Sequence, residues 1–89
     1  MLLREFMAQH SHKFVENYQG PVGFGLNRET DEATLICYLQ KFSDDTLMNV
    51  VRQRLSDHEL ADLFDRLSDL LRRHLSEKEY HALFLKEHH

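Results

Sequence analysis

The chain contains a single cysteine, a single proline, three glycines and no tryptophan. One cysteine cannot form a disulfide within the chain, whereas small secreted domains usually need several, so the sequence predicts a cytoplasmic protein. No apolar run approaches the roughly 18–20 residues that span a bilayer, and the first residues lack the basic-then-apolar order of a signal peptide. Cys37 lies within the apolar run 35–39. This setting favours a buried packing residue over a nucleophile.

Basic charge is also scarce. Eleven Lys+Arg stand against 15 Asp+Glu, which gives a formal net charge of -4. Proteins that bind nucleic acids concentrate Lys and Arg on one surface to neutralise phosphates, and this acidic chain has only isolated arginine pairs. Those pairs, Arg52 with Arg54 and Arg72 with Arg73, lie near the ends of predicted helices, where cations complement the helix dipole. We therefore expect neither a nucleic-acid partner nor a membrane partner.

The first predicted element is a helix over residues 2–19. Its apolar positions recur at the three-and-four spacing of one helical face. They are Leu3, Phe6, Met7, His10, Phe14 and Tyr18. Gly20 and Pro21 follow, and we expect Gly20 to take the left-handed conformation that ends many helices, while Pro21 cannot continue one.

An antiparallel β-hairpin is predicted next. Residues 22–26 alternate apolar side chains with glycine, residues 28–32 are polar, and residues 34–42 are rich in β-branched and aromatic side chains. These patterns favour two strands joined by a short connection. The second strand is apolar on both faces, and two strands alone are marginal in water. We therefore expect a second chain to extend the sheet or to cover its face.

Three serines mark helix starts in the second half of the chain: Ser43, Ser56 and Ser76. Ser56 with Glu59, and Ser76 with Glu79, have the spacing of a capping box. The helix after Ser56 carries the most regular apolar stripe of the chain. The stripe consists of Leu60, Leu63, Phe64, Leu67, Leu70, Leu71 and Leu75.

At 89 residues the chain is predicted to form one domain, residues 1–89, that buries about 60–65% of its unfolded surface. The predicted fold class is α+β. Its elements are an N-terminal helix, a two-stranded antiparallel β-hairpin that a dimer can extend, and three C-terminal helices.

Motifs for catalysis, cofactors and metals are sparse. The glycines precede a predicted strand and not a helix start, so no phosphate-binding loop is predicted, and no protease or hydrolase motif is present. Among the seven histidines, the terminal pair His88 and His89 is set aside because terminal histidines can belong to a purification tag. Glu77 and His81 share one helical face, which His74 joins if the helix runs through Ser76, and these three are the metal-ligand candidates. No cofactor is predicted.

The predicted function is a non-enzymatic protein–protein interaction module, an adaptor or regulatory subunit that acts as a homodimer or binds another protein. We expect self-association through the hairpin or through the helix over residues 60–75. The alternative is a regulator that responds to a small molecule or a metal, with a pocket between the first helix and the hairpin. That pocket would be lined by His10, Phe14, Phe24, Cys37 and Tyr38.

Overall fold

A computed structural model describes residues 12–87, in which every regular element is a helix and no strand occurs. The helices are α1 (Lys13–Asn17), α2 (Arg28–Phe42), α3 (Asp45–Arg54), α4 (Asp57–His74) and α5 (Glu77–Glu79), and a π-helical turn (Tyr80–Phe84) continues α5. The chain divides into two compact units between Arg54 and Leu55. None of the helices within residues 12–87 combines the length and the apolar composition that a bilayer crossing needs.

The predicted β-hairpin, and with it the α+β fold class, is wrong. Residues 34–42, predicted as the second strand, lie in α2, and residues 28–32, predicted as the connection, form its first turn. Helix is favoured because the Asn27 side chain caps α2 by accepting a hydrogen bond from the Thr30 backbone N–H at 2.8 Å. Acidic residues occupy the first turn and Lys41 the last, as the helix dipole prefers. A helix of this kind satisfies its backbone locally, which an isolated two-stranded hairpin does not.

Arg28 and Glu32 reinforce the first turn of α2. The Arg28 Nε donates to Glu32 Oε2 at 2.6 Å, an ion pair of i,i+4 spacing on an exposed surface. The hydrogen bond to Glu32 is the largest cause that raises the pKa of Arg28, and the negative charge of Glu32 is the second. The two residues thus belong to one helical turn and not to a hairpin loop.

The predicted first helix is described only in part, since residues 1–11 lie outside the described range. Within that range α1 ends at Asn17, and Tyr18 is already extended. Gly20 does not take the left-handed conformation expected of it. The glycine with a positive φ is Gly25, at 90°. Its backbone N–H donates to Asp31 Oδ1 at 2.8 Å.

The connection between α1 and α2, predicted as the first strand, is a loop fixed by a side chain of α2. Thr34 Oγ1 accepts a hydrogen bond from the Gly23 N–H at 3.0 Å and donates to the Gly23 carbonyl at 2.9 Å. Both backbone groups of Gly23 are thereby satisfied by one hydroxyl. A backbone segment without strand partners needs such side-chain hydrogen bonds when it packs on a helix.

Few residues are buried in the described part of the first unit, residues 12–54. They are Val15 on α1 and Thr30, Ala33, Thr34 and Cys37 on α2. On α2 these positions have the i, i+3, i+4, i+7 spacing of one helical face, and the side chains are all small. They let α1 approach closely, and the Val15 N–H donates to Gln40 Oε1 at 3.0 Å.

Helix α3 begins one residue later than the serine pattern predicted. Ser43 caps the C-terminus of α2, and its hydroxyl donates to the Gln40 carbonyl at 3.0 Å. Asp44 supplies the N-terminal cap of α3 instead, since its carboxylate accepts from the Leu47 N–H at 3.1 Å. Ser43 therefore ends α2, and Asp44 starts α3.

Both predicted capping boxes are confirmed. At the start of α4, Ser56 Oγ accepts from the Glu59 N–H at 3.1 Å and Glu59 Oε1 accepts from the Ser56 N–H at 2.9 Å. Ser76 and Glu79 repeat this geometry at the start of α5, with the same two distances. Each box satisfies two backbone amides that a helix start otherwise leaves unpaired.

Removing the first cap is expected to destabilise the protein measurably. Ser56→Ala should lower the free energy of unfolding by about 0.5–2 kcal/mol, because the Glu59 amide loses its acceptor. Urea unfolding followed by circular dichroism at a fixed protein concentration measures the loss. Ser68→Ala, within α4, is the matched control and should be neutral or slightly stabilising, since alanine is the better helix former. Equal stability of the two variants would contradict the role of the cap.

Candidate functional site

Helix α4 presents an exposed apolar face. Leu60, Leu63, Leu67 and Leu70 remain between 41% and 46% exposed, and Phe64 is 70% exposed. Their spacing places them on one face of the helix. Isolated apolar side chains are normal on protein surfaces, whereas contiguous apolar surfaces are typical of interaction sites.

The polar face of α4 is built for solvent. Arg73 pairs with Asp69 at 3.4 Å and His58 with Asp62 at 3.6 Å, and both pairs have i,i+4 spacing. Asp57 and Glu59 occupy the first turn, while the last turn ends in basic residues. The helix dipole favours this distribution, and the i,i+4 pairs stabilise α4 by contacts that do not involve its apolar face.

The helical conformation is interrupted between α4 and α5. Leu75 is extended, with φ -116° and ψ 139°, and its N–H closes α4 by donating to the Leu71 carbonyl. The second capping box then starts α5 at Ser76. The predicted helix start at Ser76 is thus confirmed. The condition under which His74 would share a helical face with Glu77 and His81 is not met.

The C-terminal segment turns two aromatic rings toward α4. In the π-helical turn the Leu85 N–H donates to the Tyr80 carbonyl at 3.0 Å. Tyr80 and Phe84 stack with their ring centroids 5.3 Å apart. Both rings border the same groove as the C-terminal half of α4.

The groove between α4 and this C-terminal segment has a volume of about 550 Å³. Most of its lining is apolar, with Ser68, His74 and the Tyr80 hydroxyl as polar groups. The lining residues are Phe64, Leu67, Ser68, Leu70, Leu71, His74, Leu75, Tyr80 and Phe84. A groove of this composition suits apolar side chains, and the exposed face of α4 extends it toward Leu63 and Leu60.

The residues of the predicted ligand pocket are not brought together in the described part of the chain. Phe14 stacks on Tyr18 at 5.4 Å and lines a groove of about 470 Å³ beside α2. Cys37 is buried, as expected of a packing residue, whereas Phe24 and Tyr38 are 74% and 66% exposed. His10 lies outside the described residues. The pocket required a hairpin, and the helical course of α2 separates its side chains around the helix.

The metal-ligand candidates are also dispersed. Within residues 12–87 no three His, Cys, Asp or Glu side chains lie close enough to hold a metal ion. His74 lines the apolar groove, while Glu77 lines a smaller depression of about 340 Å³. The His81 Nδ1 forms a hydrogen bond with Glu87 Oε1 at 2.7 Å. This contact with Glu87 was not expected from the sequence, because it depends on the backbone turn after Phe84.

Comparison with known proteins gives no match. No family model fits the chain, and no curated protein or solved structure shows significant similarity to it.

Proposed function

We propose that the protein is a non-enzymatic protein–protein interaction module, an adaptor or regulatory subunit, that acts as a homodimer in the cytoplasm. The observation that carries the proposal is the exposed row of Leu60, Leu63, Phe64, Leu67 and Leu70 on a helix that is fully capped. The lone Cys37 supports the compartment, because a reducing environment keeps such a thiol free.

Energetics favour a protein partner for this face. Burying apolar surface stabilises an association by about 25 cal/mol per Å², before the costs of association are subtracted. A long, straight row of leucines fits the apolar row of another helix, in the manner of knobs-into-holes packing. A second copy of the chain carries the same row, so a symmetric dimer needs only this one surface on each copy.

A ligand-responsive regulator is the second candidate. The groove volume of about 550 Å³ falls within the usual range of ligand pockets, roughly 300–1,000 Å³. A ligand in the groove would contact Leu67, Leu71 and Phe84, and the melting temperature would rise with the logarithm of the ligand concentration once that exceeds the dissociation constant. A homodimer instead becomes more stable as the protein concentration rises, so the two candidates are separable.

Sedimentation equilibrium of the wild-type protein tests the proposed function. Over a range from about 1 to several hundred micromolar we expect the mass to rise from 10.6 kDa to twice that value. A midpoint in the micromolar range corresponds to about -8 kcal/mol of association free energy. A constant mass of 10.6 kDa at all concentrations would overturn the homodimer. A metabolite screen by thermal shift would then decide whether the ligand-responsive regulator replaces it.

A further inference from the structure

We infer that the partner of the apolar face is α4 of a second copy running antiparallel, with Leu60 and Leu63 of one copy packed on the partner's Leu70 and Leu67. This inference rests on the proposed homodimer and specifies its interface. The four leucines are partly exposed in a single row, and they occupy positions a and d of two consecutive heptads. Position a of one antiparallel helix lies level with position d of its neighbour, so this register pairs all four leucines in both copies.

Phe64 lies close to the two-fold axis in this register. It occupies position e, and in an antiparallel pair position e of one helix flanks position e of the other, so Phe64 lies beside the partner's Phe64. It is the most exposed side chain of the row, at 70%. Two aromatic rings in contact stabilise an interface by about 0.5–1.5 kcal/mol beyond the area they bury. The pairing thus covers the most exposed apolar side chain of the α4 row.

Charge complementarity selects the antiparallel orientation. Glu59 and Arg73 both occupy position g, on the flank opposite Phe64. Positions g of two antiparallel helices face each other, which brings Glu59 of each copy beside the partner's Arg73. Glu59 uses Oε1 in the capping box, and its other carboxylate oxygen is available to a guanidinium. Arg73 is 66% exposed at its side chain and only loosely paired with Asp69 at 3.4 Å. Two symmetric ion pairs follow from one antiparallel register.

Arg66 is the residue that this register places next to a like charge, the partner's Arg66. Three carboxylates of its own helix, those of Asp62, Asp65 and Asp69, line the same surface depression as Arg66. Their negative charge offsets the repulsion at the two-fold axis. Exposed charges in water interact weakly, so this single contact does not reverse the preference.

The parallel orientation lacks these contacts. Parallel helices place position g beside position e of the neighbour, which sets Glu59 beside the partner's Phe64 and Arg66 beside the partner's Leu71. Neither is an ion pair. Parallel pairing would also stack His74 on the partner's His74 in the apolar seam, and the helix dipoles would repel. Both observations favour the antiparallel pair.

Disulfide trapping distinguishes the two orientations. In a Cys37→Ala background, Phe64→Cys places its two copies on the same flank near the two-fold axis, offset by only about 3 Å along the helices. Their thiols can therefore approach the short separation that a disulfide requires. Leu70→Cys is the matched variant. In the antiparallel pair its two copies are about 15 Å apart along the helix axis, whereas in a parallel pair they face each other. Both variants change one apolar residue of the same row, and circular dichroism checks that each remains helical.

We expect Phe64→Cys to form a covalent dimer under oxidised glutathione at least tenfold faster than Leu70→Cys. Faster trapping of Leu70→Cys would overturn the antiparallel orientation. If neither variant is trapped while wild-type sedimentation shows a dimer, the α4 pair is wrong and the proposed homodimer stands. A wild-type monomer in sedimentation would remove the homodimer itself, so the two failures are distinguishable.

The ion pairs have a separate test. Glu59→Gln keeps the capping box, because glutamine also serves at this position, and Arg73→Gln removes the charge but keeps the Cβ–Cγ–Cδ stem and a polar end. Each variant should raise the dissociation constant of the dimer. The double variant should raise it by a smaller factor than the product of the two single factors. We expect a coupling of about two- to tenfold in the dissociation constant, as for exposed ion pairs. Full independence of the two variants would contradict the predicted contact.

Discussion

Leu63→Asp is expected to raise the dissociation constant of the homodimer by about 100-fold or more. Leu63 is 41% exposed and lies outside the lining of the groove, so the change leaves the contacts of the C-terminal segment intact. In the dimer, however, it would place two carboxylates in the apolar seam. Burying an unpaired charge is costly, and the most sensitive interface positions lose at least about 2 kcal/mol on truncation alone. Sedimentation equilibrium measures the effect directly.

Ala61→Asp is the control for Leu63→Asp. It introduces the same charge into the same helix, at an exposed position that points away from the leucine row. We expect it to dimerise like the wild-type protein. If Leu63→Asp dimerises equally well, the α4 face is not the interface, and other exposed apolar residues must be considered. Unchanged circular dichroism in both variants would show that the loss is one of association and not of folding.

Thr34→Val is expected to lower the stability of the first unit by about 1–3 kcal/mol. The change keeps the shape of the side chain but removes the hydroxyl that serves both the N–H and the carbonyl of Gly23. Because Thr34 is buried, water cannot easily replace the hydroxyl, and leaving the partly buried backbone groups of Gly23 unpaired carries a desolvation cost. Urea unfolding measures the loss, and amide hydrogen exchange should place it in α2 and the preceding loop.

Thr46→Val in α3 provides the comparison. This threonine is exposed, and surface substitutions away from special contacts usually change stability by less than about 0.5 kcal/mol. Thr34→Ser should retain most of the stability, since it keeps the hydroxyl and loses a methyl group. A Thr34→Val protein as stable as Thr46→Val would show that the loop does not depend on this side chain.

The C-terminal helices could be predicted from the sequence because their signals are local. Ser56 with Glu59 and Ser76 with Glu79 bond within a single turn, and a cap defined by residues three apart needs no knowledge of the rest of the fold. The leucine row of α4 is local in the same sense. Its exposure was not predictable, because exposure depends on what the remainder of the chain covers.

Helix α2 was missed because its composition and its packing give opposite signals. Thr34, Ile36 and Tyr38 favour strands on average, but the preference is weak and context decides. The better signals were Asn27 as a cap and the acidic first turn. The buried face was also overlooked, since it consists of threonine, alanine and cysteine, which do not form an obvious apolar stripe.

The loop before α2 was mistaken for a strand for a different reason. Val22, Phe24 and Leu26 alternate with smaller residues as a strand does, and alternation was the only criterion available. In the structure Gly23 is bonded to Thr34, eleven residues further on. No pattern within the loop reveals that partner. The groove beside α4 was hidden likewise, because Tyr80 and Phe84 reach it only after the chain turns at Leu75.

The two capping boxes also bear on how quickly this chain becomes competent to associate. Their hydrogen bonds join Ser56 to Glu59 and Ser76 to Glu79, across three residues. Contacts so close in sequence carry little loop-closure entropy, and helices of this length form within about a microsecond. The leucine row would then be assembled long before two chains collide at micromolar concentration. Encounter between preformed helices, and not their folding, would set the rate of assembly.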